Sequence, residues 1–248
     1  MNKPPLPRQD FNEVIEVFAL DVRKYLPLEK DYVPTIRKVQ QDKVLDRFKK
    51  NASKGKFSLT INAETLKLEN ALGIFKNLGY KDETFTTKQF FNITHEVHAI
   101  PHWINGSSIF DLIDENKNLV TFDDIQFVYH IAMMHADGTY KYCMCESFVF
   151  QISECRKALA FGYEFTVSNN FKNEEFIASI NDNNGVRTDL IPELDKHKKK
   201  KFATSGIFME KHLEILNFYA YKDFDSKDVA KKMNKSMKQV HDYNRYIY

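Results

Sequence analysis

The feature that most constrains this chain is the run from Asp123 to Ile152, DDIQFVYHIAMMHADGTYKYCMCESFVFQI. Two stretches rich in Val, Ile, Tyr, Phe and Cys flank a single turn signal, Ala136-Asp137-Gly138-Thr139. Aromatic and β-branched residues suit a pleated surface, and Asp-Gly supplies the backbone freedom a tight reversal needs, so the run predicts a long antiparallel hairpin. A hairpin alone is marginal in water and must be covered. The material for this lies on both sides. Phe57–Ile61, Leu66–Asn70 and Lys157–Val167 read as strands, ALGIFKNLGY as a short helix closing on Gly79, and the surroundings of Phe85–Phe91 and Ser107–Ile113 as two small α elements. Two strands, several short helices and three more strands make an α+β fold with a mainly antiparallel sheet.

Helices are expected before that sheet. From Asp10 to Leu26, Phe11, Val14, Ile15, Phe18, Ala19, Val22 and Leu26 recur at helical spacing between a capping Asp10 and a stopping Pro27; a looser stripe, Ile36, Val39, Leu45 and Phe48, marks a second helix over 34–50. Ser168 to Leu194 is polar, rich in Asn and Asp, and reads as a linker. The expected division is a helical region over 1–52, an α+β domain over 53–170, a linker over 171–205 and a small all-α domain over 206–248.

The charge is unevenly placed. From Lys196 to Tyr248 there are 13 Lys or Arg against 6 Asp or Glu, a net +7, which leaves −5 of the chain's overall +2 to the first 195 residues. A basic tail beside an acidic body is the footprint of a tail that meets phosphates, although a lysine-rich solvated face looks the same by charge alone. No run approaches the ~20 apolar residues of a membrane span. The start, MNKPPLPRQD, lacks a signal's apolar region, and three cysteines form no disulfide framework, so a cytoplasmic protein is expected.

The middle of the chain resembles the PAS family, whose members carry this succession of strands and short helices. The resemblance rests on Leu78-Gly79-Tyr80 after the first helix and the Asp137-Gly138-Thr139-Tyr140 turn, with Phe90-Phe91-Asn92-Ile93-Thr94-His95 between them. It covers about Phe57 to Val167 and implies a sensor domain for a small molecule or partner, with no ligand named.

The last forty residues resemble the LuxR/GerE-type helix-turn-helix. Glu214-Ile215-Leu216, Asp228-Val229-Ala230, Met233, Ser236 and Val240 fall on the family pattern. Lys222 and Asp223 stand near where relatives place Gly, Gln239 where Thr is usual, and Tyr243 where His is usual. If Val240, Tyr243 and Ile247 face a core, then at about 100° per residue His241, Asp242 and Arg245 turn outward, with Lys238 close by. By the resemblance, Lys235, Ser236, Lys238, Gln239, His241, Asp242 and Arg245 meet duplex DNA: Arg245 bidentate to guanine, Lys238 on phosphate, Asp242 accepting from cytosine, and Ser236 capping the recognition helix.

His95, His98 and His102 lie close together, and Cys143 and Cys145 share one strand face, yet no complete zinc, haem or flavin set is spelled out. Trp103, Phe127, Tyr129, Phe148, Phe161 and Phe165 read as core residues, some able to line a ligand cavity. No nucleophile–base constellation or phosphate loop occurs, so no enzyme and no cofactor are expected. The expectation is a homodimeric transcription regulator joined through its N-terminal helix and PAS-like domain. The alternative is a PAS-type interaction module with a degenerate tail.

Overall fold

The computed structural model describes residues 33–172, 174, 176–204 and 225–240; the helix expected over 10–26 lies outside them. The elements, in chain order, are α1 (Lys38–Asn51), β1 (Lys56–Asn62), β2 (Leu68–Leu72), α2 (Ile74–Leu78), α3 (Thr87–Asn92), α4 (Glu96–Glu115), β3 (Gln126–Met134), β4 (Tyr140–Ile152), β5 (Ala158–Asn170), β6 (Ala178–Asp182), β7 (Gly185–Val186), α5 (Ile191–Thr204) and α6 (Ser226–Lys232). The strands form one antiparallel sheet in the order β2-β1-β5-β4-β3-β6-β7. This is the expected α+β class.

The pleat sorts side chains cleanly. On one face Phe57, Leu59, Tyr129, Ile131, Cys143, Cys145 and Phe165 join Ile74, Leu78 and Phe90 in a buried cluster, with Phe57 and Phe165 stacked at 4.5 Å. On the other face Phe148, Phe150 and Ala160 meet Val44 and Phe48 of α1. β1 sends Phe57, Leu59 and Ile61 to the first face and the buried Ser58 and Thr60 to the second, whereas β4 places apolar residues on both.

The hairpin turn forms where Asp137-Gly138 predicts it. Gly138 has φ +87, and the Asp137 carboxylate accepts from the Thr139 amide at 2.8 Å and hydroxyl at 2.7 Å. Those bonds hold the exposed Asp137 carboxyl down at about 2, with the Thr139 amide as the main cause. The same turn meets the end of α2: the Ala136 amide donates to the Leu78 carbonyl at 2.8 Å, and a Cβ on Gly79 (φ +78) would lie 2.8 Å from that of Ala136. Leu78-Gly79 and Asp137-Gly138, far apart in sequence, are thus two halves of one contact.

Three expectations need correcting. The second N-terminal helix begins at Lys38, not Pro34, because Pro34 and Thr35 run extended against the end of β4, with the Thr35 amide on the Ile152 carbonyl at 2.8 Å. The small element at Ser107–Ile113 is the last part of the 20-residue α4, which carries Pro101 within it. The stretch read as a linker over 171–205 is structured: β6 pairs with β3 from Tyr129↔Ala178 to Gln126↔Asn181, and α5 starts at Ile191.

By compactness the chain divides after Leu194 into residues 1–194 and 195–248. In the second unit α6 is capped by Asp225, whose carboxylate accepts from the amides of Lys227 (2.8 Å) and Asp228 (2.9 Å). Met233 and Asn234 close it, Asn234 at φ +51, and helical residues resume at 237–240. Among the described residues, no helix is long and apolar enough to cross a membrane.

Candidate functional site

A cavity of about 50 Å³ lies between α4 and the first of the two sheet faces. Phe90 and Phe91 of α3 form one wall, and His102, Trp103 and Gly106 of α4 form another. Tyr129, Ser147, Phe161 and Tyr163 line the sheet side, and Leu66 stands at the margin. Leu66 has φ +54, uncommon for a bulky residue, and its carbonyl accepts from the Thr87 hydroxyl at 2.6 Å, which ties the loop to the start of α3. The sequence readily gives these rings as apolar mass; that Trp103, Tyr129 and Phe161 share a cavity follows only from the packing of α4. Phe127 and Phe165 are core residues, and Phe148 lies on the opposite face.

The polar groups of the cavity are few and uncharged. His102 Nε2 and the Tyr129 hydroxyl are 3.1 Å apart, and burial holds the His102 imidazole neutral, its pKa pushed down to about 3. Burial likewise pushes the Tyr129 and Tyr163 phenols up, and the Cys143 thiol up to about 12. Ser147 donates to the Phe127 carbonyl at 3.1 Å. Trp103 is 3% exposed, and its Nε1–H meets no hydrogen-bond acceptor among the described residues. A second, shallower cavity of about 20 Å³ near Phe110 has its polar groups already spent: Lys117 pairs with Asp114, and Arg156 donates to the carbonyls of Lys117 and Val120.

His98 stands apart from the cavity and is fully engaged. Its Nδ1 accepts from the Ala132 amide at 2.8 Å, so in the neutral ring Nε2 carries the hydrogen and donates to the Glu174 carbonyl at 2.9 Å. Among the described residues no three His, Cys, Asp or Glu side chains come together as a metal-binding set.

In the second unit, Ser236 and Gln239 form a reciprocal cap. The Gln239 amide donates to Ser236 Oγ at 3.2 Å, and the Ser236 amide donates to Gln239 Oε1 at 3.0 Å. Four residues, 233–236, separate the two helical stretches. Val229, Ala230 and Val240 are buried, whereas Ser236, Lys238 and Gln239 are exposed and Lys235 is half-buried. His241, Asp242 and Arg245 lie outside the described residues.

No family model matches the chain, and no curated protein matches it by sequence. Among solved structures, it is similar to the N-terminal domain of a diguanylate cyclase with a PAS/PAC sensor from Marinobacter aquaeolei, at 14% identity over 44% of this chain and 92% of that one, with a TM-score of 0.34. It is also similar to phage VqmA in its complex with DPO, at 10% identity over 83% and 77% of the two chains and a TM-score of 0.32. Vibrio cholera VqmA, in a complex with ligand and DNA, gives 9% identity over 84% and 78%, with a TM-score of 0.28. These likenesses are remote, and the reading of the chain rests on its own residues.

Proposed function

We propose that the protein is a cytoplasmic, DNA-binding transcription regulator, in which a PAS-type domain takes up a small molecule in the α4 cavity and a C-terminal helix-turn-helix binds duplex DNA. The observation that carries the DNA half is the Ser236–Gln239 cap. It starts a second helix four residues after α6 ends, the interval of a helix-turn-helix, and leaves Lys238 exposed in that helix's first turn. Amides and the positive dipole end at such a terminus suit a phosphate. The +7 of the tail supplies the longer-range attraction. His241, Asp242 and Arg245, which follow in the sequence, are the proposed base- and phosphate-reading residues, together with Lys235. Homodimerisation through the N-terminal helix and the PAS-type domain is part of this reading; loss of residues 1–30 would then halve the mass seen by light scattering.

One observation favours the alternative, an interaction module that no longer binds DNA. Gln239 Oε1 accepts from the Ser236 amide and hydroxyl, so the side chain does not present the free acceptor and donor together that read adenine.

DNA binding by the full chain, titrated against salt on genomic fragments from near its own gene, separates the two. A regulator loses affinity steeply with salt, with a slope of ~0.9 per phosphate contact. Lys238→Ala then weakens all sequences alike, whereas Arg245→Ala costs about 1 to 3 kcal/mol on the preferred site. Absence of binding at low salt and micromolar protein leaves the interaction module as the answer.

A further inference from the structure

Helix α4 is fastened to strand β3 by two buried imidazoles one turn apart. His98 Nδ1 meets the Ala132 amide at 2.8 Å, and His102 Nε2 meets the Tyr129 hydroxyl at 3.1 Å. The two bonds differ in what they tolerate. A hydroxyl can donate or accept, but a main-chain amide can only donate, so His98 Nδ1 must keep its lone pair. Its Nε2 is already committed to the Glu174 carbonyl at 2.9 Å. A second proton on His98 would therefore set two N–H groups facing each other, and the ring would have to leave Ala132. It would not have to leave Glu174, because a charged donor strengthens that bond.

The surroundings decide which imidazole yields first. Around His98 stand His95, just before α4, at 6.5 Å between ring centres, Tyr142 of β4 at 6.2 Å, and Phe171 and Phe176, beyond β5, at 5.2 and 6.0 Å. Behind them Tyr140 packs on His95, and His130 of β3 stacks on Tyr142. Glu174 supplies the negative charge nearby. Its carboxylate accepts from the Lys172 amide at 2.6 Å, which holds it below the usual range, and both that carboxylate and the Glu174 carbonyl favour a positive His98. Burial works against them, with the positive dipole end of α4, and lowers both imidazoles from the ordinary 6.5, His102 to about 3. Among the described residues His102 has no carbonyl or carboxylate that favours its charge, so His98 takes up the proton first.

We propose that His98 is a proton-operated latch between α4 and β3: the neutral ring closes the joint at Ala132, and the imidazolium opens it there while His102 stays on Tyr129. The step is a protonation and nothing more. Nδ1 gains a proton from solvent as the Ala132 N–H···N bond is lost, and no covalent bond to carbon changes. The latch goes beyond the regulator reading and needs neither ligand nor DNA. It is closed at pH 7 and opens as the pH falls below 6.5, through the lowered value of the folded ring.

Nitrogen-15 spectra of the full chain read both partners of the bond. At pH 7 the His98 ring should show a bare Nδ1 and a protonated Nε2. As the pH is lowered and Nδ1 protonates, the protection of the Ala132 amide against solvent exchange should fall about 5- to 10-fold, the worth of one hydrogen bond, with the same midpoint and reversibly. The His102 signals should keep their neutral pattern through that step. His95→Gln and His130→Gln should leave the step at Ala132 in place, whereas His98→Gln should hold that amide at the low protection at every pH. The titration of the parent chain decides the matter without a variant. Unchanged protection at Ala132 while His98 titrates would overturn the latch, and so would a doubly protonated His98 ring at pH 7. A step that disappears in His95→Gln or His130→Gln would assign the proton to another ring, and unfolding before His98 titrates would leave no latch to operate; either result overturns the proposal.

Discussion

On the inner face of the sheet His102, Tyr129, Tyr163, Cys143 and Cys145 are packed among aromatic rings with no charged partner, whereas on the outer face Arg47, Lys56 and Glu164 form ion pairs beside α1. Burial suppresses ionisation on the first face. On the second, the hydrogen-bonded pair with Asp123 raises the Arg47 pKa. Arg47 makes a bidentate pair with Asp123 at 2.7 Å twice, while its guanidinium lies 5.4 Å from the Phe148 ring centre. Glu146 and Glu164 stand directly opposite in the β4–β5 register, an unfavourable pairing that Lys56 offsets at 3.9 and 3.0 Å. One pleated sheet thus carries a neutral, ring-lined surface and an ionic surface that fixes a helix.

That contrast can be broken in four ways. The largest effect should come from the dry face: Phe165→Ala removes a fully buried ring stacked on Phe57 and should cost about 3 to 5 kcal/mol in urea unfolding. Lys56→Met on the ionic face leaves two carboxylates facing each other and should cost about 2 kcal/mol, discounted for its partial exposure. A loss below about 0.5 kcal/mol would mean that water, not Lys56, screens the pair.

Protonation tests the neutral face directly. The folded pKa of His102 lies near 3, below its ordinary 6.5, so the unfolded chain binds the extra proton and stability falls as the pH drops from about 6.5 toward about 3. His98 and His130 are shifted in the same direction by burial. Between pH 7 and pH 5 the His102 share is about 2 kcal/mol, and His102→Asn should lose that much less than the parent over the interval. Equal losses would show that the imidazole is charged in the fold. The smallest effect is the coupling of Arg47 to Asp123, about 1 kcal/mol by a double-mutant cycle, because the arginine side chain is 40% exposed.

Much of this fold is legible in the sequence where local chemistry and packing agree. Asp137-Gly138 fixes the hairpin, and Phe57–Ile61 and Lys157–Val167 show their strands by composition. The misses have physical causes. Helix α4 is covered on several sides and so lacks an apolar stripe, and Pro101 and Gly106 break its pattern. Strand β6, ASIND, buries only Ile180 deeply; it is a strand because β3 offers it an edge, which no local signal announces. The cavity was visible only as a set of aromatics, since its walls come from segments about one hundred residues apart. In the second unit the S-x-x-Q spacing at Ser236 and Gln239 was readable and does form the cap.

Where β6 stops pairing with β3, the margin of the sheet is not left bare. The His130 amide reaches the Ile177 carbonyl at 2.9 Å, the Ala132 amide reaches His98 Nδ1, the Met134 amide reaches the Ile93 carbonyl at 2.7 Å, and the His95 amide covers the Ala132 carbonyl at 2.8 Å. An imidazole therefore stands in for one rung of a missing strand. Exposed rungs of this kind template the addition of foreign chains and seed aggregation, and here the protein has filled them from within. Any substitution at His98 would reopen a rung that a second molecule could occupy, so its first symptom should be self-association rather than unfolding.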